Sequence, residues 1–345
     1  MRITKTILIL IVTYFLSGLC IAKENSSTTN KPLLVVASIP PFYGLVDAII
    51  QGVSKPKLLI QSGASSHHAV LSPSQIQTLQ QADIIFWGGP DLETFLINPL
   101  KNVDPKKTRI VELDKTPHLI LLPTRFSPNF NDEAENHNDE HEHDHEHEHG
   151  HSHDHGHDHD PKQGEHADHS HGPTDMHFWL DPENALLLVN NITQQLSKVY
   201  PEHAKQFSQN AAQLKQQIKK LDLSLKKQLL DVRNKPYLVL HDGYQYFEKR
   251  YGLNAVGAIT HHPELPLSVA RLQKIRDIIQ QEKVVCIFSE AGAPSKITEN
   301  LAKEFNVKTG VLNPMENPGN DGDYSYLKLL EGLAASLQEC LKQSK

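Results

Sequence analysis

The sequence predicts an α/β protein of two similar lobes, each a mostly parallel four-stranded sheet flanked by helices, joined by a long rigid helix. Three observations carry this. From Lys31 onward short apolar runs alternate with amphipathic stretches, the signature of βαβ units and a parallel sheet. The second half of the chain repeats the scheme. Between the halves lies a helical stretch of about thirty residues, Glu202–Asp231, that no Gly or Pro interrupts. A chain of 345 residues has room for two such lobes, each with its own core.

Taken in order, residues 1–22 read as a secretory signal. Arg2 and Lys5 precede an apolar run from Ile7 to Phe15, followed by Ser17-Gly18 and a small residue at Ala22, where cleavage is expected. The run is too short to span about 30 Å of hydrocarbon. The N-terminal lobe then occupies 23–182. Its strand candidates are Leu33–Ile39, Lys57–Gln61, Ile84–Trp87 and Arg109–Leu113, with helices over 41–51, 73–81 and 92–101. Ser72 stands as N-cap with Pro73 at the first helical position. Residues 183–234 hold two helices, Glu183–Tyr200 and the linker from Glu202. At 1.5 Å per residue the linker is about 45 Å long, a rod that permits tilting but discourages wide hinge closure. The C-terminal lobe, 235–345, places strands at Tyr237–His241, Ala255–Ile259, Val284–Phe288 and Val307–Leu312, and helices near 243–251, 268–281, 295–305 and 323–342.

One stretch fits none of this. Residues 131–172 hold fourteen of the 22 histidines and fourteen Asp/Glu against a single lysine. Almost no apolar residue is present, so no core forms there and a mobile loop is expected. With that tract and the leader set aside, the body is mildly basic. The acidity of the chain, −7 overall, therefore belongs to one segment, and charge excludes a nucleic-acid protein.

Imidazole and carboxylate together suit Zn, Cu and Ni, and most of these histidines are neutral ligands at pH 7. His141, His143, His145, His147, His149, His151, His153, His155, His157 and His159 are thus auxiliary, low-affinity metal candidates. The run His141-Glu142-His143-Asp144-His145 also matches the zinc-protease string H-E-x-x-H. That motif works by presenting both histidines on one helical face, and nothing makes this segment helical.

The eight other histidines are better read by position. His67 and His68 lie in the loop between the strand ending near Gln61 and the helix at Pro73. His241 closes the strand from Tyr237, and Asp242 beside it is placed to cap the next helix, with Gln245 three residues on. Ligands of open α/β sheets bind beyond the carboxyl ends of strands. His177 precedes the inter-lobe helices. Three imidazoles, His67, His177 and His241, would make a His₃ site with one open position. A lone strand-end histidine is otherwise a hydrogen-bonded structural residue. His118, His203, His261 and His262 are read as that or as surface. Cys286 and Cys340 remain after the leader. An even pair in an exported protein suggests one disulfide, closing 54 residues and stabilising by roughly 4 kcal/mol. Two buried thiols are the alternative.

Three segments carry a resemblance. Gly63-Ala64-Ser65-Ser66-His67, Asp175-Met176-His177-Phe178-Trp179-Leu180-Asp181-Pro182-Glu183 and His241-Asp242-Gly243-Tyr244-Gln245-Tyr246-Phe247 resemble the zinc-uptake substrate-binding proteins of ABC transporters (the ZnuA type, metal-binding cluster A-I or cluster 9). The similarity covers essentially all of the chain after the leader, the His-rich insertion included. It implies two α/β lobes joined by a long helix, with Zn²⁺ held between them on His67, His177 and His241, and a Cys286–Cys340 disulfide. It also implies high-affinity capture in the periplasm and delivery to the permease of a zinc ABC transporter with its cytoplasmic ATPase. Zinc is then cargo, no reaction is catalysed, and a monomer is expected.

The sequence departs from relatives at two positions. Ser66 stands where some carry a glutamate ligand, and Asn313 lies near where manganese-binding cousins carry an aspartate. The fourth ligand is therefore open between water, His68 and a tract histidine. Three neutral imidazoles favour Zn²⁺ over Mn²⁺. The tract, 42 residues with a root-mean-square span of about 36 Å, can reach the cleft mouth as a zinc collector or sensor. The alternatives are a Mn²⁺ or Fe²⁺ binding protein of the same family, or an exported zinc hydrolase, for which no general base or nucleophile elbow is evident.

Overall fold

The first apolar run becomes strand β1 (Val35–Ala37), wholly buried, and the chain turns at once into helix α1 (Pro40–Ile50), with Pro40 opening it. The computed structural model describes residues 33–61, 69–132, 173–260, 267–291, 296–315 and 324–342. After β2 (Lys57–Leu58) comes α2 (Pro73–Gln81), whose N-terminus is the expected one. The Ser72 side chain accepts from Gln75 N–H while Gln75 reaches back to the Ser72 N–H, a reciprocal capping box. Strand β3 (Ile84–Trp87) follows, then a 3₁₀ turn, the short α3 (Ile97–Lys101) and β4 (Arg109–Glu112). The helix expected over 92–101 is thus half its length, because its first turn is a 3₁₀ turn over Thr94–Leu96.

Two short strands escape any reading of periodicity. β5 (Leu122–Pro123) and β6 (Thr174–Asp175) pair antiparallel across the His-rich insertion. Two residues apiece are too few to show alternation. Next come α4 (Pro182–Val199), capped by the Asp181 side chain on Glu183 N–H, and α5 (Ala204–Gln228). Pro201 opens a 3₁₀ turn between them, so α5 measures about 37 Å at 1.5 Å per residue, shorter than the expected rod. In the second half, β7 (Tyr237–His241), α6 (Gln245–Tyr251), β8 (Ala255–Thr260), α7 (Val269–Gln281), β9 (Cys286–Glu290), α8 (Lys296–Phe305), β10 (Lys308–Leu312) and α9 (Tyr326–Leu341) complete the chain.

The two sheets are parallel throughout, in the orders β2-β1-β3-β4 and β10-β9-β7-β8. Numbered within its own half, each reads 2-1-3-4. The repeated plan is therefore a repeated topology. In each, the chain leaves the first strand to one side and later returns to its other side, which makes a switch point at the carboxyl ends of strands 1 and 3.

A single apolar core runs through both halves, from Val36 and Phe86 in the first sheet through Trp179 to Tyr237, Phe288 and Leu330. A smaller one lies on the other face of the second sheet, around Leu238, Val256, Ile275 and Ile287. Helix α5 packs on α1, α4 and α9. Asn210 on α5 donates at 2.9 Å to the Ile49 and Gln51 carbonyls at the end of α1, and Gln338 on α9 donates at 2.9 Å to Gln228 O at the end of α5. Helix α9 also lies on α1. There a Cβ on Gly44 would stand 2.1 Å from Tyr324 O, so only glycine permits that approach. The C-terminal helix thus joins the halves as well as the linker. Cys286 and Cys340 form a disulfide with Cα atoms 6.1 Å apart, tying β9 to α9.

The segment before the His-rich tract crosses to the second half. Phe130 N–H donates to Val256 O at 3.1 Å, and Asn129 bridges Gly257. No helix among the described residues is long and apolar enough to cross a membrane. The expected leader (1–22) and all but the first two residues of the expected mobile loop lie outside the described residues.

Candidate metal centre

The switch point of the second sheet carries the chemistry. β7 ends on His241 and its neighbour β9 ends on Glu290, so two polar side chains stand side by side where strands 1 and 3 of that half diverge. The strand was expected to stop at Phe288, where the apolar run stops. It continues through Ser289 and Glu290 because β10 stays paired to them, Val311 with Ser289 and Leu312 with Glu290.

His177 reaches the same place from the first half. It follows β6 and precedes a 3₁₀ turn, Phe178–Leu180. Its backbone N–H donates to Asp175 Oδ1 at 3.0 Å. Trp179 beside it is fully buried, with its ring 5.3 Å from the imidazole and its indole N–H on Pro314 O at 2.8 Å. The local order of the run Asp175–Asp181 is thus set by one carboxylate that folds the backbone over itself and one indole that anchors it.

The two imidazoles are both buried, with ring centroids 5.3 Å apart. Their Nε2 atoms face each other at 3.4 Å. On the far side of each ring stands a carboxylate. His177 Nδ1 meets Asp175 Oδ1 at 2.8 Å, and His241 Nδ1 meets Glu290 Oε2 in a short contact. An ionised carboxylate only accepts, so each pairing fixes the proton on Nδ1 and turns the Nε2 lone pair towards the other ring. Burial alone would lower the His241 pKa. The charge and hydrogen bond of Glu290, with Asp242 and Asp175 behind them, outweigh burial and hold it above the ordinary imidazole value.

The spacing suits a tetrahedral ion. Two Zn–N bonds of about 2.0–2.1 Å at the tetrahedral angle put their nitrogens about 3.3–3.4 Å apart. Gly243 keeps the space open. A Cβ there would lie 2.7 Å from His241 Nε2 and 3.2 Å from His177 Nε2.

Of the residues singled out in the sequence, the structure brings His177 and His241 together. His67, His68 and the tract histidines His141, His143, His145, His147, His149, His151, His153, His155, His157 and His159 lie outside the described residues, as do His261 and His262. Among the described residues, no group of three or more His, Cys, Asp or Glu side chains is gathered for a metal. His118 and His203 lie away from the centre, His118 in a left-handed backbone conformation beyond β4 and His203 against Phe207. Asn313 is used locally, its Oδ1 accepting from Met315 N–H at 2.9 Å.

Asp242 is a correction. It does not cap α6, which starts at Gln245 with no side-chain cap. Instead its carboxylate pairs with Arg125, which also meets Glu248 Oε2 at 2.8 Å and lies 3.5 Å over the Phe130 ring. A buried cation from the other half outcompetes a helix terminus that water can satisfy. Burial opposes the Arg125 charge, but Glu248 and Asp242 outweigh it and hold the guanidinium pKa above its usual value. Burial pushes the Glu248 carboxyl up to about 7 against the pull of Arg125.

Sequence reasoning missed Glu290, Gly243 and Arg125, and gave Asp175 no role. Asp175 had a signal, its i to i+2 spacing to a histidine. Glu290 shared the strand-end position that singled out His241. Arg125 had none, since its partners lie more than a hundred residues away.

Two like parallel sheets, with two imidazoles facing each other where strands diverge, fit the class of substrate-binding proteins of the metal-binding kind. The family model described as ZnuA, zinc-uptake complex component A periplasmic, matches residues 35–340, and the chain belongs to that family. The chain is 39% identical over 329 residues to the high-affinity zinc uptake system protein ZnuA of Brucella suis, covering 95% of this chain and 96% of that one. To the ZnuA of Yersinia pestis it is 32% identical, over 89% and 91%. Among solved structures, a zinc(II)-bound mutant variant of AdcAII from Streptococcus pneumoniae is 25% identical with a TM-score of 0.67, covering 90% of this chain and 99% of that one. A mutant of the laminin-binding adhesin Lmb from Streptococcus agalactiae shares the fold at 23% identity and a TM-score of 0.68, over 90% and 100%.

Proposed function

We propose that this protein captures Zn²⁺ in the periplasm with high affinity and hands it to the permease of a zinc ABC transporter, whose cytoplasmic ATPase supplies the energy. Zinc is cargo, held by His67, His177 and His241, and no bond of a substrate is made or broken. The observation that carries this reading is the pair of Nε2 atoms 3.4 Å apart, each backed by a carboxylate on its Nδ1. Family membership and the zinc uptake named for relatives at 32–39% identity support it. Imidazole donors favour Zn²⁺ over oxygen-preferring Mn²⁺. The His-rich tract collects zinc at low affinity or senses it, since its neighbouring segment is fastened beside the second sheet at Phe130. The fourth ligand is water, His68 or a tract histidine. The protein works as a monomer.

The test is a chelator-competition titration of the mature protein with residues 133–172 replaced by a short Gly/Ser linker. The result expected is one tight zinc site that Mn²⁺ does not displace, abolished by His67→Ala, His177→Ala or His241→Ala, with the weak sites gone. A shortened protein with no tight site overturns the reading, as does turnover of ester or phosphate substrates that depends on the three histidines.

A further inference from the structure

The two carboxylates behind the imidazoles are placed too alike to be incidental. They come from different halves and different kinds of element. Asp175 is the last residue of a short antiparallel strand, and Glu290 the last residue of a parallel one. Yet both meet Nδ1 and leave Nε2 pointing inward. Glu290 reaches the site through an imidazole, since its oxygen lies on the nitrogen opposite the one facing His177. From these pairings we propose that Asp175 and Glu290 are positioning residues that act on the ion only through His177 and His241, fixing ring orientation and the Nδ1–H tautomer and strengthening both imidazoles as donors. This rests on the reading of those histidines as zinc ligands.

The two pairings differ in how they are held, and the difference shapes the test. Asp175 Oδ1 takes both the backbone and the ring N–H of His177, so Asp175→Asn, which keeps an oxygen acceptor there, removes the charge while preserving those two bonds, with the Gln245 amide beside Oδ2 turning its oxygen to the new amide. Glu290 is in contact with a ring alone among its described side-chain partners and belongs to neither apolar core, so Glu290→Ala removes the carboxylate without opening the apolar packing of the second sheet. Glu290→Gln keeps an acceptor oxygen and removes the charge. Outer carboxylates of this kind are worth roughly 10- to 100-fold in metal affinity.

The experiment uses the full mature chain and its Asp175→Asn, Glu290→Gln, Glu290→Ala and His241→Ala variants. Zinc affinity is read by chelator competition, ligand geometry by the visible absorption of the Co²⁺ form, and the imidazole tautomer by ¹⁵N NMR of the metal-free protein. Glu290→Ala is expected to lose roughly 10- to 100-fold in zinc affinity and to shift His241 towards the Nε2–H tautomer. Glu290→Gln and Asp175→Asn should keep the Nδ1–H tautomer and the Co²⁺ spectrum and lose the smaller part of that factor. The proposal is overturned if Glu290→Ala binds zinc like the wild type, or if Glu290→Gln is as defective as Glu290→Ala. A changed Co²⁺ spectrum in Glu290→Gln also sinks it, because that would make Glu290 a ligand. His241→Ala separates the two levels. If it keeps the tight site, the ligand reading itself fails. If it loses the site while Glu290→Ala does not, only the positioning role fails.

Discussion

The two halves share a 2-1-3-4 sheet but use its switch point differently. In the second half the ends of β7 and β9 carry His241 and Glu290, and Gly243 leaves room between the donors. In the first half the corresponding strands run straight into packing. β1 is followed by Ser38 and Ile39, both fully buried, and by a helix whose first turn is buried. Beyond β3, Gly88 N–H donates at 2.5 Å to the fully buried Glu93. Among the described residues, one switch point is lined by imidazole and carboxylate and the other by packed core. The difference teaches that topology offers a position for ligands, while local side-chain volume decides whether it is kept open.

Four variants sharpen this contrast. The largest effect is expected at Arg125, which carries charge from the first half to the rim of the second half's site. Arg125→Ala strands Asp242 and Glu248 without their cation, and removing one partner of a buried pair costs about 3–5 kcal/mol. Chemical denaturation should show that loss, and an unchanged midpoint would mean the halves are not tied there. Next comes the staple that only the second half possesses. Replacing Cys286 and Cys340 together by Ala should lower stability by about 2–4 kcal/mol, read as the same shift that a reductant produces in the wild type.

The third change aims at the space itself. Gly243→Ala puts a methyl group where the two Nε2 atoms converge, so zinc affinity should fall at least about 100-fold, or 2.7 kcal/mol, with the metal-free protein still cooperatively folded. Binding at wild-type strength would show that the ion sits elsewhere. The last change, the smallest when read per pH unit, lies in the first half's filled switch point. Burial raises the Glu93 carboxyl to about 8, against the lowering pull of the Gly88 N–H on its Oε2. The folded protein therefore holds a proton there that the unfolded chain releases near its ordinary value. This contribution is fully present below the unfolded pKa and is lost as pH rises towards about 8. Glu93→Gln should flatten the decline, whose slope is at most about 1.4 kcal/mol per pH unit. Parallel stability–pH curves for the variant and wild type would disprove it.

Much of this was legible in the chain. Alternating runs gave both sheets, and Ser72-Pro73 gave the start of α2. The strand-end rule set His241 at the end of β7, and the motif around His177 marked the imidazole that faces it. What escaped has a common physical cause. Strand β9 outruns its apolar stretch because pairing with β10 holds Ser289 and Glu290 in the sheet, and such pairing leaves no periodic trace. Asp242 looked like a cap because its true partner, Arg125, is 117 residues distant. The value of Gly243 lies in what it does not occupy, and a sequence does not display empty space.

The reach of α9 has a consequence for how the molecule comes into being. Tyr326 on α9 donates at 2.7 Å to Trp179 O, and the backbone just before it sits against Gly44. The N-terminal sheet therefore cannot finish burying α1 until residues nearly three hundred positions later have been synthesised. Contacts of such sequence separation are slow to form. A chain halted before Tyr326 should behave as an aggregation-prone intermediate rather than as a half-sized protein.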